Sequence, residues 1–179
     1  MSHKKLLILD IDETLLHASE VSLGRDPDYL IGTYFVYKRP HLEKFLSFCS
    51  QNFELAIWTT ATKAFAHEVV EKIFEKETNL SFVWSEEKCT YIKDAATAEY
   101  HFLKNLIKVK NKGYSLDHVI MVDDTPEKLK KNYGNLVRVN AFLGDENDEE
   151  LLKLMLYLAD LKDAPNIRSI EKRGWQNKY

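Results

Sequence analysis

Cysteine, proline and glycine are scarce in this 179-residue chain, at two, four and six residues. Two widely separated thiols, Cys49 and Cys89, exclude a disulfide framework and read as reduced side chains. Neither sits in a nucleophile motif. Sparse glycine and proline, with no repeat or low-complexity tract, leave little room for a disordered chain. No stretch approaches the roughly 20 apolar residues of a membrane span, so no membrane partner is expected. The first apolar run meets Asp10 after four residues, Leu6 to Leu9, which is too short for a signal-peptide core. Positive charge is not in excess: 25 Lys and Arg stand against 28 Asp and Glu, for a net −3, so nucleic acid is not the expected partner. These absences predict a cytoplasmic monomer, with a nuclear placement open in a eukaryote. What is present, 45% hydrophobic and 30% charged residues, suits one folded domain over residues 1–179 with its own core.

Leu6-Leu-Ile-Leu9 is apolar at every position and ends abruptly in Asp10-Ile-Asp-Glu-Thr14. A run without alternation reads as a strand buried on both faces, as in a parallel sheet. Phe53–Trp58, His118–Val122 and Leu136–Val139 read the same way, the first two ending in Thr59-Thr60 and Asp123-Asp124. Helices are predicted between them: from Pro40 through Phe48, from Thr62 to Glu75, from Ala98 to Lys110, and from Asp148 to Leu161. Thr125-Pro126-Glu127 reads as the start of a short helix. Strand–helix alternation of this kind predicts an α/β fold with a parallel sheet flanked by helices. The segment at about 17–38 breaks the alternation and reads as a β-hairpin flap, and about 79–92 as a small irregular or strand-containing insert. Neither is long enough for a closing domain.

In open α/β sheets ligands bind outside the carboxyl ends of the strands. Here those ends carry Asp10 and Asp12, Thr59 and Thr60, and Asp123 and Asp124, with Lys93 within reach of the same rim. Carboxylates gathered at one edge repel unless a cation joins them, and Mg²⁺ takes hard oxygens plus water and phosphate. Asp10, Asp123 and Asp124, with a backbone carbonyl near Asp12, are therefore the predicted metal ligands. Asp10 is the candidate nucleophile, storing a phosphoryl group as an acyl phosphate. Asp12 is the candidate general acid and base. Thr59 and Lys93 would contact phosphate oxygens, with Lys63 and Lys88 as competing lysines. The amides of Ile11, Asp12 and Thr60 would complete the cradle.

These motifs carry a resemblance. Leu9–His17 resembles the first motif of the haloacid dehalogenase superfamily in its DxDxT form. Ile57–Ala61 is similar to its second, Lys93 to its third and Val122–Pro126 to its fourth. Tyr37–His41, Trp58–Lys63 and Tyr91–Asp94 look like the phosphatases of the RNA polymerase II C-terminal-domain, or NLI-interacting-factor-like, group. The resemblance runs from about Leu6 to about Ile170. It implies a Rossmann-like core without a large cap, and phosphoserine or phosphothreonine in a protein or peptide as substrate. It implies Asp124 as a direct metal ligand, with Asp123 either binding through water or positioning Lys93. The segment Phe82–Cys89 carries acidic residues where readers of the polymerase tail carry an Arg and aromatics.

Two other readings stay open. One is a phosphatase of small metabolites or nucleic-acid ends. The other is a silent binding module of the same fold. His17 and His41 read as structural histidines, and the flap aromatics Tyr29, Tyr34, Phe35 and Tyr37 divide between gripping substrate and packing on their own domain.

Overall fold

Leu6–Leu9 forms the central strand of a parallel sheet, and its side chains divide between two cores in strict alternation. Leu7 and Leu9 join one apolar cluster, Leu6 and Ile8 the other, and all four are buried. That two-sided burial is why the run shows no polar residue. The computed structural model describes residues 4–93 and 100–179. In chain order its strands are β1 (Leu6–Leu9), β2 (Leu16–Ser19), β3 (Tyr29–Ile31), β4 (Tyr34–Lys38), β5 (Glu54–Trp58), β6 (Leu80–Trp84), β7 (Thr90–Lys93), β8 (Tyr100–Leu103), β9 (Val119–Asp123) and β10 (Leu136–Arg138). The α-helices are α1 (Leu42–Asn52), α2 (Lys63–Ile73), α3 (Ile107–Lys110) and α4 (Glu150–Leu161), joined by short 3₁₀ turns.

The main sheet has the order β10-β9-β1-β5-β6, with every neighbouring pair parallel. From β1 the chain winds outward through β5 and β6, then returns to the other side of β1 for β9 and β10. The direction reverses at β1, which opens a crevice at the carboxyl ends of β1 and β9. Leu42, Phe45, Leu46 and Cys49 of α1 pack on one face of the sheet, with α2 and α4 beside them. The opposite face is covered more thinly, by Leu106, Val109 and Leu129. The fold is of the α/β type expected from the sequence, a parallel sheet flanked by helices.

Three expectations change. Residues 79–92 are not a separate insert: Leu80–Trp84 is the outermost strand of the main sheet. Only Phe82 is fully buried there, so an edge strand with partial burial lacks the continuous apolar signature. The helix expected from Ala98 to Lys110 is instead β8 followed by the short α3. Phe102, Leu103, Leu106 and Ile107 share helical spacing, yet the first pair ends a strand and the second pair spans the start of a helix. Ala98 and Glu99, like Asp94, lie outside the described residues. The segment 17–38 holds a three-stranded antiparallel sheet, in the order β2-β4-β3, rather than a hairpin. Its aromatics contact their own domain to different depths: Tyr37 is fully buried, exposed Tyr34 meets Phe65 edge-on at 5.8 Å, and the Tyr29 hydroxyl donates to the Lys72 carbonyl.

Arg39, at the end of β4, ties this small sheet to the crevice. It is buried, makes a two-pronged ion pair with Asp148 at 2.8 Å, and donates to the carbonyls of Thr14 and Asn140. The loop after β1 is thereby clamped to the start of α4, where Asp148 also accepts from the Glu150 amide at 3.0 Å.

Candidate active site

Register brings the acidic groups together. Leu9 pairs with Ile57 on one side and Val122 on the other, so Asp10 emerges between Trp58 and Asp123. Asp10 and Asp123 are both fully buried. Two buried carboxylates side by side need a cation, and the protein supplies two. The Lys104 ammonium, itself without solvent exposure, lies 2.9 Å from Asp10 Oδ1 and 2.6 Å from Asp123 Oδ2. The Lys128 ammonium lies 3.0 Å from Asp10 Oδ2, 3.6 Å from Asp123 Oδ1 and 3.9 Å from Asp124 Oδ1. The Lys104 amide also donates to the Lys128 carbonyl at 2.8 Å, which couples the two segments.

The charges divide unevenly. Burial alone would raise the Asp10 carboxyl, but the ammonium groups of Lys104 and Lys128 outweigh it and hold it below the usual carboxylate range. Burial, and then the Asp10 charge, push Asp123 up to about 7 despite the same lysines. The cluster thus keeps its negative charge preferentially on Asp10. Burial and the Asp10 charge also push Asp12 up to about 6, partly offset by a hydrogen bond from Thr59. A carboxylate and a carboxyl that keeps its proton up to about pH 6 therefore sit two residues apart.

The predicted residues fall into place unequally. Asp10, Asp12, Thr59, Asp123 and Asp124 converge on the crevice. The Thr59 hydroxyl donates to Asp12 Oδ2 at 2.9 Å and accepts from the Ala61 amide at 2.9 Å. It therefore holds Asp12 here, where a direct phosphate contact was expected. The Ile11 amide, expected in a phosphate cradle, donates to Asp10 Oδ1 at 2.9 Å. Thr60 is half-buried on the loop that follows Thr59. Lys93 does not join the site. It ends β7 on an exposed face, with its ammonium 5.7 Å above the Tyr100 ring. Lys104, at the end of the partner strand β8, stands where Lys93 was expected; Lys63 and Lys88 are both exposed. Two sequence signals point to Lys104 and Lys128. Lys104 is flanked by buried Leu103 and Leu106, so it interrupts an apolar segment, and Lys128 follows Asp124 by one turn. His17 bonds Glu13 at 3.1 Å, a structural contact.

Asp10, Asp123 and Asp124 each offer an oxygen within 4.8 Å of the others. Asp124 Oδ1 is buried and has no hydrogen-bond partner among the described residues. An all-oxygen set with one uncommitted buried oxygen suits a hard divalent cation.

Known proteins share this architecture. The family profile described as NLI interacting factor-like phosphatase matches residues 5–168. The chain is 27% identical to CTD nuclear envelope phosphatase 1B of Danio rerio, over 96% of this chain and 72% of that protein. It is 30% identical to nuclear envelope morphology protein 1 of Saccharomyces cerevisiae, over 93% of this chain and 41% of that one. Among solved structures, Fcp1, an essential RNA polymerase II CTD phosphatase, superposes with a TM-score of 0.58 at 24% identity, over 88% of this chain and 49% of its own. The names of these relatives overturn the cytoplasmic placement expected from composition, because they point to the nuclear envelope. Composition registers charge and apolar content, and neither reports an address. The profile match runs from β1 to beyond α4 and takes in every carboxylate of the crevice, so the chain belongs to the NLI interacting factor-like phosphatase family and is a phosphatase.

Proposed function

We propose that this chain is a Mg²⁺-dependent phosphoprotein phosphatase that works through an aspartyl-phosphate on Asp10, with phosphoserine or phosphothreonine as substrate. The observation that carries this reading is the division of charge. Asp10 is held ionised by two ammonium groups, and Asp12, two residues on, keeps its proton to about 6.

In the first step an Asp10 carboxylate oxygen attacks phosphorus, the bond from phosphorus to the seryl or threonyl oxygen breaks, and Asp12 protonates that leaving oxygen. In the second step Asp12, now a carboxylate, takes a proton from water as its oxygen attacks the phosphoryl group, freeing phosphate and restoring Asp10. Thr59 keeps Asp12 aimed at the reacting atoms through its 2.9 Å bond. Lys104 stabilises Asp10 and the charge developing on the phosphoryl oxygens, the role first expected of Lys93. The amides of Asp12 and Thr60 are assigned to the remaining phosphoryl oxygens. Asp10, Asp123 and Asp124 would hold the Mg²⁺ ion, which when bound neutralises the phosphoryl group beside an attacking carboxylate. The small β2-β4-β3 sheet packs on α2 and is too short to act as a closing domain, which favours a bulky protein substrate. Following its relatives' names, the nuclear envelope is the proposed place of action.

The test is steady-state hydrolysis of phosphoserine and phosphothreonine peptides against sugar phosphates and nucleotides, with Mg²⁺ present. Peptides are expected to have kcat/KM at least about tenfold higher, the kind of margin set by contacts outside the reacting group. Preference for a metabolite would overturn the protein-substrate reading. Absence of any turnover in folded protein would favour a silent binding module.

A further inference from the structure

Lys128 is a cation with no counterpart among the residues expected at this site. It differs from Lys104 in one physical respect. Lys104 is sealed from solvent, whereas the Lys128 side chain keeps 17% exposure and has a path outward. Its ammonium contacts the same three carboxylates, Asp10, Asp123 and Asp124, that group as ligands for a divalent cation. Lys104 already shares Asp10 and Asp123 with it, so a divalent ion on the oxygens that Lys128 now faces would meet a second ammonium at close range, a strong repulsion even at the effective dielectric of a protein surface.

We propose that Lys128 is a displaceable internal counter-ion that competes with the divalent cation for Asp10, Asp123 and Asp124, and so sets the metal concentration at which the phosphatase becomes active. The proposal rests on the metal-site reading above. With the ammonium in place, the buried carboxylates are neutralised and the fold is stable without metal. Metal entry then requires that the Lys128 side chain swing toward solvent, while the turn at Pro126–Leu129 keeps its backbone bond to Lys104. A lysine with a merely structural role would stabilise the fold and leave metal affinity alone. A competing lysine does two opposite things: it raises stability without metal and lowers affinity for metal.

The experiment measures Mn²⁺ binding to the full chain by electron paramagnetic resonance of free Mn²⁺, together with thermal melting in chelator and in Mn²⁺. Lys128→Gln is expected to bind Mn²⁺ about tenfold or more tightly than wild type. Its melting point should be lower in chelator, and its rise on adding Mn²⁺ larger. Lys128→Arg, which keeps the charge, should bind Mn²⁺ as weakly as wild type and gives a second reading if the Gln variant folds poorly. Equal or weaker Mn²⁺ binding by Lys128→Gln, beside wild type that binds measurably, would overturn the competition while leaving the metal site intact. If wild type shows no Mn²⁺ site that Asp123→Asn weakens, the metal reading itself falls and takes this proposal with it.

Discussion

The floor of the crevice and the β7–β8 hairpin beside it treat lysine in opposite ways. At the floor, Lys104 is stripped of water and held by two carboxylates at 2.9 and 2.6 Å. On the hairpin, Lys93 faces solvent on the partner strand, paired in register with Tyr100 and resting over its ring at 5.7 Å. Eleven positions separate the two residues, and both belong to the same two strands or their ends. A lysine is desolvated only where enough negative charge offsets its lost hydration. The floor supplies that charge through Asp10 and Asp123. The hairpin supplies stacked aromatics, Tyr91 on Tyr100 at 4.8 Å and Tyr91 against Phe102 at 5.0 Å, which accept a cation's face without dehydrating it.

The sharpest way to break this comparison is to remove the charge that holds the floor together. Asp10→Asn is nearly isosteric, and Lys104 keeps Asp123 as a partner, so the fold should survive. Turnover should fall by about 10⁴-fold or more, because the proposed nucleophile is lost. Initial rates with an aryl phosphate, beside circular dichroism to confirm folding, decide the matter. Activity close to wild type would mean that Asp10 is only a buried ion-pair partner.

Next comes Lys104→Met, which keeps the side-chain length and deletes the charge. It leaves Asp10 and Asp123 facing each other with only Lys128 between them. Removing one partner of a buried ion pair costs about 3–5 kcal/mol, a loss readable in urea unfolding. Turnover should drop by about 10²-fold or more as the phosphoryl oxygens lose a positioned cation. A variant as stable and active as wild type would move the role proposed for Lys104 to another lysine.

The same contrast explains what the sequence revealed and what it hid. The strands β1, β5, β9 and β10 were legible because each is apolar apart from a polar residue at one end of β5, β9 and β10, and burial on both faces leaves no alternation. Asp10, Asp12, Asp123 and Asp124 were legible because each follows or ends such a run, where a parallel sheet places ligands. Lys104 was hidden by the spacing of Phe102, Leu103, Leu106 and Ile107, which mimics one face of a helix. Read as a helix, the segment offers its lysine to solvent; read as a strand end, it delivers Lys104 to the crevice. The place of β6 at the edge of the main sheet, rather than in an insert, was hidden by Ser81 and by partial burial. The Thr59 bond to Asp12 had no linear signal, because 47 positions separate the two residues and only the β1–β5 register joins them.

The smallest expected effect is the most pointed test. Lys93→Met removes a charge that ends an exposed strand and makes only a weak contact with an aromatic ring. Exposed substitutions of this kind shift stability by about ±0.5 kcal/mol, and the cation over Tyr100 contributes about 0.5–1 kcal/mol at such a site. Unfolding midpoints should therefore move little, and turnover of a small aryl phosphate should stay within about twofold of wild type, since no bond links Lys93 to the reacting groups. The two lysines must be measured side by side on that small substrate, because a bulky phosphoprotein that touches the hairpin could feel either one. If Lys93→Met lost activity on the aryl phosphate as steeply as Lys104→Met, burial and distance would have misidentified the catalytic cation, and the hairpin would have to fold its exposed strand toward the crevice during turnover.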